Sequence, residues 1–82
     1  MIGNAVVEKT MNGLKDMLYN SEIVDANYID DAYLANPNKV YITNIGSSGM
    51  PGDILVVFKD FTTKQRVDVI LEVKSSQAST LF

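Results

Sequence analysis

The stretch Gly49–Ser76, GMPGDILVVFKDFTTKQRVDVILEVKSS, predicts two β-strands joined by a polar turn. The first strand, residues 53–59, is an apolar run entered through a Pro-Gly turn, and the second covers residues 67–74. Because side chains alternate between the faces of a strand, two sets of residues are separated in the second one. One face carries Asp68, Ile70, Glu72 and Lys74, and the other carries Val67, Val69, Leu71 and Val73.

The end of this hairpin concentrates charge next to apolar strands. Glu72 and Lys74 point in the same direction, and burying such groups without partners is costly. Asp53 begins the neighbouring strand, so a divalent cation held between the carboxylates of Asp53 and Glu72 would lower that cost. The sequence therefore predicts a cation site at this end of the hairpin.

The composition restricts the available chemistry. A chain of 82 residues forms one small domain, with a thin margin of stability. It has no cysteine, which excludes disulfides and thiolate metal sites, and no histidine, which excludes imidazole catalysis and His-ligated zinc. Any hydrolytic chemistry must then use carboxylates, lysine and a hard metal such as magnesium, which prefers oxygen ligands.

Charge and hydropathy indicate a cytoplasmic protein that does not bind membranes. No apolar run approaches the ~20 residues of a membrane span, and the N-terminus lacks the features of a secretory signal. The net charge of −3 argues against a general nucleic-acid coat. The middle of the chain carries the acids Glu22, Asp25, Asp30 and Asp31, whereas the C-terminal half carries Lys59, Lys64, Arg66 and Lys74.

The rest of the chain predicts a single α+β domain. Residues 3–20 predict an amphipathic helix. Residues 21–38 predict ordered but irregular structure whose acids form a solvated face, and the alternative is a short strand near residues 23–27 followed by a helical turn near residues 29–34. Residues 39–45 predict a strand, which gives a helix packed on a three-stranded, largely antiparallel sheet. The apolar stripe of the helix consists of Val7, Met11, Leu14, Met17 and Leu18. The tail, residues 75–82, ends in Leu81-Phe82 and is expected to be a truncation point or a segment that docks on a partner.

The order of these elements resembles that of a nuclease superfamily. A helix bearing Glu8 precedes Pro51-Gly52-Asp53 and Glu72-Val73-Lys74. This arrangement is similar to the αβββ core of the PD-(D/E)xK superfamily, which includes restriction endonucleases, Holliday-junction resolvases and virus-type replication–repair nucleases. Two departures exist: Gly52 separates the proline from Asp53, and the family core continues with a helix and a strand. The resemblance therefore implies the N-terminal part of such a nuclease, lacking the final helix and strand.

The resemblance also implies roles for individual residues. Asp53 and Glu72, with the backbone carbonyl of Val73, would bind Mg²⁺ or Mn²⁺ near the scissile phosphate of DNA. Lys74 would orient or deprotonate the attacking water, or pair with the phosphate. Glu8 is either a solvated acid in the first turns of the helix or an additional metal ligand. The residues expected to contact DNA are Lys59, Lys64, Arg66 and Gln77.

Other interpretations of the same residues remain open. Glu72 and Lys74 are also compatible with a surface ion pair worth under about 1 kcal/mol. The chain would then be a non-catalytic protein–protein interaction module of phage or mobile-element origin, using its acidic middle and apolar tail. A third possibility is that a homo-oligomer or a partner chain completes the core at the free edge of the last strand.

Overall fold

The structure, a computed structural model, describes residues 4–74 and has an α+β fold, as predicted. Its helices and strands are α1 Asn4–Met17, β1 Ser21–Ile23, α2 Ile29–Ala35, β2 Val40–Asn44, β3 Ile54–Lys59 and β4 Arg66–Leu71. A short 3-10 turn over Ala26–Tyr28 precedes α2. The strands form one sheet in the order β1-β2-β3-β4, in which β1 is parallel to β2 and the other pairs are antiparallel.

The predicted three-stranded sheet is wrong by one strand, because residues 21–38 are not irregular. β1 runs beside β2 and pairs Ser21 with Val40, and α2 belongs to the connection that parallel strands require. An ion pair of 3.0 Å between Lys39 and Glu22 joins the two strands at their surface. β1 has three residues, which are too few to show a clear hydrophobic periodicity. Its pairing partner, β2, follows in the chain only after the connection that contains α2.

Each face of the sheet is covered by one helix. α1 packs on one face, where the buried residues are Val7, Met11, Ile42, Ile54 and Val56. α2 packs on the other face, where they are Ile29, Tyr33, Tyr41, Ile45, Leu55 and Val57. Because β2 and β3 are covered on both sides, β3 is apolar without alternation. No helix of residues 4–74 is long and apolar enough to cross a membrane.

The predicted stripe of α1 is correct except for Met17. Val7 and Met11 are buried, and Leu14 and Leu18 pack against the same cluster. Met17 is 79% exposed, because residue 17 is turned by about 100° from position 18 around the helix axis.

β4 forms one edge of the sheet and ends at Leu71, three residues before the predicted end at Lys74. The register places Leu71 opposite Ile54, yet the Leu71 carbonyl also accepts a hydrogen bond of 2.9 Å from the Asp53 N–H. This bond lies beyond the last pair of the ladder and ties the residue before β3 to the end of β4. Two apolar residues of this edge strand, Val69 and Ile70, are exposed.

A buried hydroxyl in β2 allows a stability prediction. Thr43 is 0% exposed, and its Oγ1 has no hydrogen-bond partner among the described residues. Thr43→Val is expected to stabilise the fold by about 1 kcal/mol, because it removes an unpaired buried hydroxyl and keeps the shape of the side chain. Urea denaturation measures the change. Thr10→Val is the matched control, since the Thr10 hydroxyl donates to the Val6 carbonyl at the surface; a destabilised Thr43→Val variant would contradict the prediction.

Candidate active site

An open cleft of about 850 Å³ lies at the surface of residues 4–74. It lies at the end of the sheet where β1, β2 and β4 end and β3 begins. Because β3 runs antiparallel to β4, the residue before β3 meets the residues after β4. The cleft is lined by Asn4, Val7, Asp25, Asn44, Gly46, Ser47, Asp53, Glu72, Val73 and Lys74. The structure therefore brings together Asp53, Glu72 and Lys74, the three residues predicted to be catalytic.

Asp53 is held by hydrogen bonds to both neighbouring strand ends. Its N–H donates to the Leu71 carbonyl at 2.9 Å, and its own carbonyl accepts from the Ile45 N–H at 3.0 Å. Its carboxylate Oδ2 accepts a hydrogen bond of 2.8 Å from the Val73 N–H. Among residues 4–74, no hydrogen bond reaches the second oxygen, Oδ1. Asp53 is thus fixed in position and still has an oxygen available for a ligand.

Asn44, at the end of β2, links α1 to the loop that follows β2. Its Nδ2 donates to Asn4 Oδ1 and to Glu8 Oε2, both at 3.0 Å. Its Oδ1 accepts a hydrogen bond of 2.8 Å from the Gly46 N–H. The Glu8 carboxylate is therefore held beside the cleft through Asn44, although Glu8 does not line the cleft itself.

Asp25, which was predicted to belong to a solvated face, is an additional carboxylate of the cleft. It follows β1, and its Oδ1 accepts a hydrogen bond of 2.8 Å from the Asn27 N–H, which caps the 3-10 turn. Its position in the cleft depends on β1, the strand that the predicted three-stranded sheet lacks. Asn44 was missed because its partners lie about 40 residues earlier; the Asn-x-Gly spacing of 44–46 was the only local signal.

The donor set of the cleft fits a magnesium or manganese ion. Within the described part of the chain, no group of three or more His, Cys, Asp or Glu residues is arranged to hold a metal, which argues against a site closed by protein ligands. Mg²⁺ usually keeps several waters and is bound through one or two carboxylates plus substrate phosphates. Asp53 and Glu72, both lining an open cleft, match that second pattern.

The basic residues predicted to contact DNA lie elsewhere. Arg66 forms ion pairs of 2.8 Å with both Asp30 and Asp68, and its guanidinium lies 5.4 Å from the centre of the Tyr33 ring. Hydrogen bonding to Asp68, and then to Asp30, raises the pKa of Arg66. Lys59 and Lys64 line a separate cleft at the opposite end of the sheet.

Gln77, the fourth residue predicted to contact DNA, lies outside the described residues. Within residues 4–74, Lys74 is the one cation that lines the cleft with Asp53 and Glu72.

Comparisons with protein-family models, with curated proteins and with solved structures found no match to this chain. Its function is therefore inferred from the residues of the cleft and their chemistry.

Proposed function

We propose that this chain is a metal-dependent nuclease, or the N-terminal part of one, that hydrolyses phosphodiester bonds of DNA. One observation supports this function above the others: Asp53, Glu72 and Lys74 line a single open cleft, and the Asp53 carboxylate is held by the Val73 N–H. Two carboxylates and one lysine are suited to a hard cation and an anionic substrate. The order of the Pro-Gly-Asp and Glu-Val-Lys motifs, which resembles that of PD-(D/E)xK nucleases, agrees with this chemistry.

Four residues of the cleft have a defined role in this proposal. Asp53, Glu72 and the Val73 carbonyl would hold Mg²⁺ or Mn²⁺, which supplies charge neutralisation at the phosphate and lowers the pKa of a bound water. Lys74 would orient or deprotonate the attacking water, or pair with the negative charge that develops on the phosphate. The open shape of the cleft leaves room for a substrate strand.

Calorimetric titration with Mg²⁺ or Mn²⁺ tests the metal site directly. We expect saturable binding by the wild-type protein and loss of at least about tenfold in affinity for Asp53→Asn, because a charged ligand becomes neutral. Asp31→Asn, which removes one charge from an exposed position of α2, is the control and is expected to bind as the wild type does. Absence of binding by the wild-type protein would contradict the proposal.

The exposed edge of the sheet favours one alternative function. β4 has a neighbour on one side within residues 4–74, and it exposes Val69 and Ile70. Such an edge can accept a strand from another chain or from a second copy. If metal binding is absent and sedimentation analysis shows a dimer or a captured partner, the non-catalytic interaction module is the better interpretation.

A further inference from the structure

A second, smaller cleft of about 320 Å³ lies at the other end of the sheet, where β2 begins and β3 ends. It is lined by Pro37, Asn38, Lys39, Val40, Phe58, Lys59, Phe61 and Lys64. The chain has a net charge of −3 and only seven lysine and arginine residues. Three of these seven, Lys39, Lys59 and Lys64, line this one cleft. This concentration of positive charge in an acidic protein is suited to an anionic ligand.

An aromatic ring stands beside these lysines. Phe61, in the turn between β3 and β4, is 88% exposed, and the Lys64 ammonium lies 4.7 Å from the centre of its ring. Burial of the side chain therefore does not account for this phenylalanine. An exposed ring next to lysines is the arrangement on which bases of single-stranded nucleic acids stack, while the lysines contact the phosphates.

The positive charge available to a ligand belongs to Lys59 and Lys64. Lys39 is already paired with Glu22 at 3.0 Å. Asp60 also lies near the cleft, but its carboxylate accepts hydrogen bonds from the N–H groups of Thr63 and Thr62, which lower its pKa and hold it in the turn. Among the ion pairs within residues 4–74, none includes Lys59 or Lys64.

We propose that this second cleft binds a single-stranded segment of nucleic acid, with a base stacked on Phe61 and phosphates at Lys59 and Lys64. The six residues of β3, at about 3.3 Å each, separate it from the cleft of Asp53 by about 20 Å. That distance equals about six nucleotides of a stacked strand. The second cleft would therefore hold the strand away from the bond that is cut. The choice of ligand rests on the proposed nuclease function, but the binding itself requires no metal.

Fluorescence anisotropy with a labelled oligothymidine strand, measured in EDTA so that no cleavage occurs, tests this proposal. Phe61→Ala is expected to weaken binding about fivefold or more, because stacking of one base is lost. The double variant Lys59→Gln/Lys64→Gln is expected to reduce the slope of log K against log salt by about 1.4, since each phosphate contact to a single strand contributes about 0.7. All substituted residues lie at the surface or at the end of a strand, and circular dichroism verifies that each variant is folded.

Two control variants separate this cleft from general charge and hydrophobicity. Tyr28→Ala removes another exposed aromatic ring, and Lys9→Gln/Lys15→Gln removes the same charge from α1; none of these residues lines the second cleft. Both controls are expected to bind as the wild type does. Equal losses in test and control variants, no binding at all, or tighter binding to duplex DNA that is unaffected by Phe61→Ala would each overturn the proposal.

The outcome is distinguishable from that of the nuclease proposal. Strand binding that depends on Phe61, by a protein that neither binds Mg²⁺ nor cleaves DNA after magnesium is added, would contradict the nuclease function and support the second cleft. Cleavage by a protein whose strand binding is unchanged by Phe61→Ala and by the lysine variant would support the nuclease function and contradict the role of the second cleft.

Discussion

Glu72→Gln is expected to lower Mg²⁺-dependent cleavage of DNA by about 1000-fold and to leave the melting temperature nearly unchanged. The substitution keeps the shape of the side chain but removes the charge of one of two carboxylates, and a bound metal contributes several kcal/mol to the stability of the transition state. Glu72 is exposed and lies after the end of β4, so the sheet does not depend on it. The measurement is the rate of cleavage of labelled DNA at saturating enzyme, beside thermal unfolding of the same samples.

Two further variants test whether the effect of Glu72→Gln is due to the loss of a metal-binding carboxylate. Glu22→Gln makes the same chemical change in β1, where Glu22 pairs with Lys39 on the surface, and is expected to cleave at the wild-type rate. Lys74→Gln is expected to keep the metal affinity but to lose rate at saturating metal, because its proposed role concerns the water or the phosphate. Wild-type cleavage by Glu72→Gln would show that this cleft is not where the reaction occurs.

The meeting of Asp53 with Glu72 could be predicted from the sequence because it depends on local structure. An antiparallel hairpin places the start of its first strand opposite the end of its second, whatever the rest of the fold is. The apolar run of residues 54–58 and the mostly apolar residues 67–71 identify both strands. The face shared by Leu71 and Val73, which pack towards α1, follows because side chains alternate between the two faces of a strand.

The same hairpin also determines where the basic residues lie. A turn between two strands lies at the end opposite to their free ends, so Lys59 and Lys64 are remote from Glu72. Arg66 is one strand position beyond the turn and is engaged by Asp30 and Asp68. Charge counted along the sequence therefore suggested one basic surface where the structure has two separate environments.

The parts that were missed depend on contacts between distant residues. β1 exists because it pairs with β2, and no feature within its three residues requires a strand. Asp25 enters the cleft only because β1 places it there, and Asn44 reaches Asn4 and Glu8 across about 40 residues of sequence. Tertiary pairing of this kind overrides the weak local preference of short segments.

Gly52→Ala is expected to destabilise the fold by about 2–3 kcal/mol, a large part of the stability of so small a domain. Gly52 has φ +103°, where a residue with a Cβ is strained by about 1–2 kcal/mol. A Cβ built there would also lie 2.3 Å from Ile70 Cγ2, which must then leave its rotamer at a cost of about 1 kcal/mol. This position explains why glycine separates Pro51 from Asp53: the chain turns here at close range to β4 before entering β3.

Gly13→Ala is the matched control and is expected to change stability in the opposite direction. Gly13 lies inside α1, and apart from its chain neighbours and the backbone of its own helix no atom lies within 4 Å of a Cβ placed there, so alanine gains about 0.5–1 kcal/mol through its helix propensity. Urea denaturation compares the two variants, each with an unchanged m-value. A neutral Gly52→Ala would contradict the close packing of this turn against β4.

A double-mutant cycle with Ile70→Ala separates the two causes at Gly52. Ile70 is 48% exposed, so its own truncation costs little, but it removes the Cγ2 atom that a new Cβ would meet. In the Ile70→Ala background, Gly52→Ala is expected to lower the free energy of unfolding only by the strain of the positive φ. The coupling energy between the two sites is expected to be about 1 kcal/mol. Zero coupling would assign the whole effect to the backbone. Because Asp53 follows directly, metal affinity measured across the same cycle reports how far the turn sets the position of the carboxylate.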